Sequence, residues 1–211
     1  MSRIIEPEIL DDAPDELASS ILAELEFINR WFGGERVLHS ELDRFPGIHS
    51  ILDVAAGNGW AARSLQRRFG MHTVSLDRLP RNLAHAPHPK IAADARSLPF
   101  TDDSFDVVIS SLFLHHLTDE ELGILLASCG RIARRAVVCV DLDRSWMTAH
   151  FFTLTSPFFR WHPITVADGF TSVRAAFTPA ELVSLAARAG LASVQVRNAW
   201  PWQRLVLTII K

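Results

Sequence analysis

The chain has 211 residues, of which 48% are hydrophobic, and its formal net charge is −3. This length and apolar content suffice for one packed domain, alone or with a lid, and the weak negative charge offers no basic surface to attract nucleic acid. Its two cysteines, Cys129 and Cys139, form no Cys-x-x-Cys pair, so we predict neither a disulfide framework nor a metal site. Neither a signal peptide nor an apolar run of ~20 residues is evident, so we expect a soluble, cytoplasmic protein with no membrane span.

Two helices are predicted first along the chain. Apolar residues recur at helical spacing from Asp12 to Phe32, Pro14 suits the first turn, and Gly33-Gly34 stop the helix. A second helix is predicted from Glu35 to about Phe45, and Pro46-Gly47 then mark a turn.

The next segment has the pattern of a strand, a tight loop and a helix start. The apolar run Ser50–Val54 contains the acid Asp53, and it gives way to the small residues Ala55-Ala56-Gly57-Asn58-Gly59 before a helix that begins near Trp60. Small residues let a loop backbone approach a ligand closely, and a helix N-terminus adds free N–H donors. The loop therefore indicates a site for a nucleotide-like molecule.

Strands and helices alternate over the rest of the chain. The predicted strands are His72–Leu76, Ile91–Ala93, Phe105–Ser110, Ala136–Val140, Ala192–Arg197 and Gln203–Ile210. Capping boxes at Thr118 and Thr178 open helices that end near Ser128 and Gly190. This alternation predicts a parallel sheet covered by helices on both faces.

Four acids, Asp53, Asp77, Asp94 and Asp141, fall at the ends of predicted strands. Ligands of such sheets bind outside the carboxyl ends of the strands, so we expect these acids to converge on one site. Asp53 either braces the loop or contacts the ligand directly.

Two cofactors compete for this loop. Gly57-x-Gly59-x-x-Ala62 followed by Asp77 matches the dinucleotide fingerprint, which makes a nicotinamide-dependent oxidoreductase one alternative. Against it, Asp53 would crowd a pyrophosphate, Asp94 adds a further acid, and the chain has no tyrosine for a Tyr-Lys pair. A loop lined by acids suits a ligand with a cationic part and no phosphate, and S-adenosylmethionine fits that description.

A set of motifs between Ser50 and Asp141 carries a family resemblance. The motifs are Leu52–Gly59, Asp77, Ala93-Asp94-Ala95, Leu98-Pro99-Phe100, Ser104–Val108 and Leu114–Leu117. Together they resemble class I S-adenosylmethionine-dependent methyltransferases, most similar to the small enzymes grouped with the quinone-biosynthesis (type 11) methyltransferases. The family usually has Gly where Ala55 stands. The resemblance implies an α/β fold with a Rossmann-like seven-stranded, mostly parallel sheet, its last strand antiparallel and helices on both faces.

The resemblance also implies cofactor contacts by position. The backbone of Ala55, Ala56 and Gly57 would pass along the methionine and ribose parts of S-adenosylmethionine. Asp77 would accept both ribose hydroxyls in charge-assisted hydrogen bonds, and Arg78 would flank the adenine.

Five further residues are assigned in the same way. Asp94 would accept from the adenine amino group, with Ala95 supplying a backbone contact. Ser110 and Ser111 would lie near the methionine ammonium group, and Arg30, in a segment that some relatives fold over the cofactor, would meet its carboxylate.

Three residues are candidates for the chemistry. A histidine is a natural general base near neutral pH, which singles out His115 and His116. Because we expect adjacent histidines to point in different directions, at most one should face the pocket; alternatively, both cap the fourth strand. Asp141 is either a base or substrate hydrogen-bonding group, or structural.

The aromatic segment Trp146–Ile164 has three interpretations: packing, a lid over an apolar acceptor pocket, or a membrane-surface helix, for which basic residues are too few. Asp168-Gly169 and Arg174 are predicted to follow in a turn. We divide the chain into an N-terminal helical cap (1–47), a cofactor-binding core (48–145), the aromatic lid (146–177) and a C-terminal part that completes the sheet (178–211).

We therefore expect methyl transfer from S-adenosylmethionine to an oxygen or carbon of a small, largely apolar acceptor of phenolic, polyketide-like or quinone-like character. The alternatives are the nicotinamide-dependent oxidoreductase and a non-catalytic nucleotide-binding protein that keeps the fold. No nucleic-acid partner is expected, and the sequence leaves the oligomeric state open.

Overall fold

The structure, a computed structural model, describes residues 2–211 and alternates strands with helices along most of that length. The strands are β1 (Ser50–Val54), β2 (His72–Asp77), β3 (Lys90–Ala92), β4 (Phe105–Ser111), β5 (Ala133–Leu142), β6 (Val194–Ala199) and β7 (Arg204–Ile210). The helices are α1 (Asp15–Trp31), α2 (Gly34–Leu42), α3 (Trp60–Phe69), α4 (Asp119–Ile132), α5 (Trp146–Ala149), α6 (Phe151–Phe159), α7 (Pro163–Ala175) and α8 (Pro179–Arg188). Short 3₁₀ turns lie at Ile9–Asp12, Asn82–His85 and Leu114–His116.

All seven strands form one sheet in the order β3-β2-β1-β4-β5-β7-β6. Neighbours from β3 to β5 are parallel, and only β7 runs antiparallel to the strands on both its sides. The predicted fold class, with its antiparallel last strand, is confirmed.

The sheet buries an apolar core on each face. Successive side chains of a strand point to opposite faces, so Leu52 joins the core beneath α4 and α8 while Ile51 joins the core beneath α2 and α3. Both residues are fully buried, as expected of a strand that is covered on both sides. Cys129 and Cys139 are buried free thiols in the first of these cores.

The helix starts follow the predicted capping chemistry. Thr118 and Thr178 each accept a hydrogen bond from the backbone N–H three residues on, and the glutamate there accepts one in return. Within residues 2–211, no helix combines the length and the apolar character that crossing a bilayer requires.

The predicted turn at Asp168-Gly169 and Arg174 is wrong, because these residues lie within α7. Gly169 is needed there for close packing: a Cβ atom would stand 2.2 Å from the ring of Phe152. Glycine thus marks a helix crossing rather than a chain reversal.

The topology brings the carboxyl ends of β1 to β4 to one edge of the sheet. The N-terminal segment, α1 and the helices α5 to α7 lie over this edge and contact one another. Between these elements and the edge lies the cavity described next.

Candidate active site

A cavity of about 910 Å³ lies at the carboxyl edge of the sheet. Its floor includes Ala55 after β1, Asp77 and Arg78 at the end of β2, and Ala93–Arg96 after β3. The roof includes the apolar side chains Leu22, Leu25, Ile28, Phe32, Met147, Phe151 and Phe152. The volume lies in the upper part of the range for ligand pockets, roughly 300–1,000 Å³, which leaves room for a nucleotide-sized molecule and a second ligand.

The loop after β1 holds a tight backbone path. Ala55 and Gly57 have φ angles of 59° and 54°, in the left-handed region. Ala56 donates its N–H to the Leu76 carbonyl at 2.9 Å, which ties the loop to β2. Of the predicted loop residues, Ala55 lines the cavity, whereas Ala56 and Gly57 do not.

Asp77 organises this corner of the cavity. One carboxylate oxygen accepts from the Gly57 N–H at 2.9 Å, and the other accepts from the Leu79 N–H at 2.9 Å and the Asn82 amide at 3.2 Å. The side chain is 7% exposed and lines the cavity. A carboxylate is therefore held rigidly at the wall of the cavity, at the residue predicted to bind the ribose.

Asp53 lies in β1, behind the loop, and does not line the cavity. Its Oδ2 atom is buried without a hydrogen-bond partner among the described residues. Burial, assisted by the nearby charge of Asp77, raises the pKa of Asp53 to about 8. The carboxyl group is therefore mostly neutral near pH 7.

Asp94 lies at the rim, beyond the end of β3. Its carboxylate accepts hydrogen bonds from the side chain and the backbone of Arg96, which hold the pKa of Asp94 at about 2. Arg96 is paired with Glu121 as well, at 3.1 Å. Asp94, Ala95 and Arg78 all line the cavity, as their predicted roles at the adenine require.

Three further predicted cofactor contacts lie outside the cavity lining. Ser110 donates its hydroxyl to the Val54 carbonyl at 2.9 Å, and Ser111 is buried; neither lines the cavity, whose wall at the end of β4 is formed by Leu112 and Phe113. Arg30 lies on another face of α1, at a separate surface hollow of about 380 Å³.

The expectation that His115 and His116 point in different directions is wrong. Both line the cavity, with ring centroids 4.3 Å apart. They belong to a 3₁₀ turn rather than to a strand, and successive side chains of such a turn do not alternate between opposite faces.

His115 is held between two carboxylates. Its Nδ1 lies 2.6 Å from Oδ1 of Asp141, and its Nε2 lies 3.6 Å from Oε1 of Glu8. Burial alone would lower the pKa of His115, but the two carboxylates outweigh it and raise the pKa to about 10. Burial likewise opposes ionisation of Asp141, yet the histidine holds the pKa of Asp141 below its usual range.

Asp141 is buried at the end of β5 and does not line the cavity, but it contacts His115, which does. Glu8 was not predicted. It comes from the N-terminal segment, lies 4.0 Å from Nε2 of His116, and accepts a hydrogen bond from the Ser172 hydroxyl. No spacing in the sequence links Glu8 to a histidine pair more than one hundred residues away.

The aromatic segment divides between packing and lining. Trp161 is buried and stacks on Phe159 at 4.9 Å, while Met147, Phe151 and Phe152 face the cavity. The outer surface of α6 stays open: Phe158 is 82% exposed. Phe32 and Trp202, which the sequence analysis did not single out, complete the apolar wall.

The comparisons with known proteins agree with this geometry. Residues 52–143 match the methyltransferase domain family. The chain is 29% identical over 152 residues to a malonyl-[acyl-carrier protein] O-methyltransferase of Dechloromonas aromatica, covering 71% of this chain and 54% of the relative. It is 35% identical over 100 residues to a demethylmenaquinone methyltransferase of Corynebacterium urealyticum, covering 44% and 43% of the two chains. The chain thus spans about half the length of these curated relatives.

Among solved structures, the plantazolicin methyltransferase BamL, in complex with a triazolic desmethylPZN analog and SAH, has a similar fold. The TM-score is 0.73 at 16% identity, over 96% of this chain and 92% of that one. A likeness at this identity supports the fold. Together with the matched segment, it supports the resemblance: residues 52–143 match a methyltransferase domain, and the whole chain has a methyltransferase-like fold.

Proposed function

We propose that the protein transfers a methyl group from S-adenosylmethionine to an oxygen or carbon of a small, largely apolar acceptor. The observation that carries this proposal is the rigidly held carboxylate of Asp77, which faces the cavity beside the small-residue loop. The matched domain and the SAH bound to the similar BamL structure support the choice of cofactor.

The residues of the cavity fit this cofactor. Asp77 offers acceptor oxygens for a ribose, Asp94 lies at the next strand end, and the remaining lining is mainly apolar. Asp77 would hold the ribose, Arg78 and Asp94 would flank the adenine, and Ala55 would pass beside the methionine part.

S-adenosylmethionine supplies a methyl group on a positively charged sulfur with a good leaving group. The protein then mainly has to align the acceptor in line and exclude water. Phe32, Phe151, Phe152 and Trp202 form the apolar wall that performs both tasks. A base is required only if the acceptor loses a proton, and the ring of His116, which reaches the cavity, is positioned for that role.

The acceptor class rests on the same wall. Aromatic and aliphatic side chains bind a flat apolar molecule without demanding polar partners. One relative is named a malonyl-[acyl-carrier protein] O-methyltransferase and another a demethylmenaquinone methyltransferase. Both names are consistent with an oxygen or carbon acceptor.

The test is a calorimetric titration of the purified protein with S-adenosylmethionine, S-adenosylhomocysteine and NADH. We expect the first two to bind and NADH not to bind; binding of NADH alone would refute the proposal. Binding without turnover in a mass-shift screen of phenolic, quinone-like and acyl acceptors would instead favour a non-catalytic nucleotide-binding protein.

A substitution at Asp77 sharpens this test. Asp77→Asn keeps the shape but removes the negative charge, and it should weaken S-adenosylmethionine binding by about 1.5–3 kcal/mol, the range for hydrogen bonds to charged groups. The matched control is Asp102→Asn, at an exposed ion pair with Arg131 next to the start of β4, on the opposite edge of the sheet. Equal affinity of both variants would show that Asp77 does not hold the ribose.

A further inference from the structure

Three side chains with metal-binding atoms meet at one wall of the cavity. Glu8, His115 and His116 each present one ligand atom, and these atoms all lie within 4.8 Å of one another. His115 is 3% exposed and Glu8 is 9% exposed, so two of the three groups are withdrawn from solvent. The third group, His116, is partly exposed and lies on the same wall of the cavity.

The distances within the cluster are too long for hydrogen bonds. Nε2 of His115 lies 3.6 Å from one Glu8 oxygen, and Nε2 of His116 lies 4.0 Å from the other. Atoms that each lie about 2.0–2.2 Å from a shared ion stand roughly 3–4 Å from one another. The two nitrogen–oxygen distances, 3.6 and 4.0 Å, fall in this range.

Hydrogen bonds from neighbouring residues fix the orientation of two of these side chains, His115 and Glu8. Asp141 lies 2.6 Å from Nδ1 of His115, and it occupies that nitrogen while leaving Nε2 directed at Glu8. A carboxylate behind a ligating histidine is the usual arrangement at zinc sites, because it fixes the ring and its tautomer. Ser172 in turn donates a hydrogen bond to Glu8 and fixes that carboxylate.

We propose that Glu8, His115 and His116 bind one divalent transition-metal ion, for which zinc is the best match, with an open coordination position that faces the cavity. Two imidazole nitrogens and one carboxylate oxygen suit zinc, and three protein ligands with an open position are typical of zinc sites that bind a further ligand. All three side chains line the cavity, so the open position is accessible from the acceptor side.

This inference deepens the proposed function, on which its second part rests. It also replaces the role of His116 as a base, because with the ion bound its Nε2 atom is a ligand. An ion at this wall would select acceptors that carry an oxygen atom, such as a hydroxyl or carboxylate, over purely hydrocarbon ones. The prediction from sequence was that no metal is bound, because the two cysteines form no Cys-x-x-Cys pair.

The experiment uses the full-length protein stripped of metals with a chelator and titrated with Zn²⁺ in a calorimeter and with Co²⁺ in a visible spectrophotometer. We expect binding of one ion per chain. The visible absorption bands of bound Co²⁺ should indicate a low coordination number. Addition of azide should change these bands, since a small anion can occupy the open position. The absence of saturable binding at one ion per chain would overturn the proposal.

Variants separate this site from stray metal binding. His116→Ala and Glu8→Gln should each weaken Zn²⁺ binding at least about tenfold. Asp141→Asn should weaken it by about 10–100-fold, because the carboxylate that orients the His115 ring is lost. The control is His85→Ala, at an exposed histidine outside the cavity. If His116→Ala and His85→Ala bind Zn²⁺ equally, binding is adventitious and the proposal fails.

The metal titration is carried out without S-adenosylmethionine, so the two proposals fail independently. Cofactor binding without metal binding would refute only the metal-site proposal, and Glu8 and His115 would then form a buried ion pair. Metal binding without cofactor binding would refute only the proposed methyl transfer.

Discussion

At the scale of single residues, the unusual feature of the site is an acid placed where water cannot reach it. Asp53 lies one strand residue before the loop, with an unsatisfied oxygen and a pKa of about 8. In the unfolded chain its pKa returns to about 3.9. Folding therefore favours the protonated form of this group.

The pH dependence follows from that difference. The contribution of Asp53 to the free energy of unfolding is most favourable below the unfolded pKa, where the group is protonated in both states. It is lost as the pH rises through the folded pKa near 8, because unfolding then releases the proton. Asp53→Asn mimics the protonated group, so the variant should gain thermal stability over the parent from pH 5 to pH 8, with little further gain above. Melting curves across this range measure it, and a difference that does not vary with pH would contradict the pKa shift.

Two glycines in helices provide a matched pair of substitutions. A Cβ at Gly169 would stand 2.2 Å from the Phe152 ring, whereas one at Gly123 in α4 would meet nothing within 4 Å. Gly169→Ala should destabilise the protein by about 1–3 kcal/mol through overpacking, while Gly123→Ala should stabilise it by about 0.5–1 kcal/mol through helix propensity. Urea unfolding of both variants tests this; stabilisation by both would mean that α7 and Phe152 are not in contact.

At the scale of elements, α6 has one face that lines the cavity and one that is exposed. Phe151 faces the cavity, and Phe158 on the same helix is 82% exposed. If α6 walls the acceptor, Phe151→Ala should raise the KM for the acceptor about tenfold or more, as expected for loss of a buried aromatic contact, without changing cofactor affinity. Phe158→Ala is the control and should leave both unchanged. Steady-state kinetics with an acceptor found in the screen measure this KM. Equal effects of the two substitutions would show that α6 does not contact the acceptor.

Elements with local chemistry were predictable from sequence. The capping boxes at Thr118 and Thr178 and the strands around Asp53 and Asp77 appear where expected, because their determinants lie within a few residues of one another. The helices α5 to α7 were not predicted, since an aromatic-rich segment shows no clear apolar period.

The site was predictable only where it is built from strand ends. The acids at β2 and β3 follow from topology, but Glu8 reaches the histidine pair through tertiary packing that no sequence pattern reports. The mutual orientation of His115 and His116 depends on a 3₁₀ turn, which no pattern in the sequence indicates.

At the scale of the whole molecule, residues 2–10 act as a strap across the cavity. Ile9 and Leu10 donate their N–H groups to the carboxylate of Asp168 at 2.9 and 3.0 Å, and Ile4 donates to the Arg174 carbonyl. Arg3 further contacts the carbonyls of Leu117 and Ala175. Few of these contacts are apolar, so the strap should open more readily than the core.

Asp168→Ala should therefore loosen the strap without unfolding the sheet. Loss of two hydrogen bonds to a charged group, each worth about 1.5–3 kcal/mol, should speed amide exchange at Ile9 and Leu10 by at least about tenfold. Glu6→Ala, which removes an exposed ion pair with Arg174, is the control and should have little effect. Hydrogen-exchange mass spectrometry distinguishes them; unchanged exchange in Asp168→Ala would show that the strap is held elsewhere.

The antiparallel direction of β7 has a practical consequence for handling the protein. The strand begins at Arg204, beside the cavity, and runs away from it, so Lys211 lies at the opposite edge, where it contacts Arg135 and Asp103. The other end of the chain supplies Glu8 and the strap. An affinity tag or surface tether fused after Lys211 would lie far from the cavity. The same fusion at the amino end would be attached to the strap that crosses the cavity.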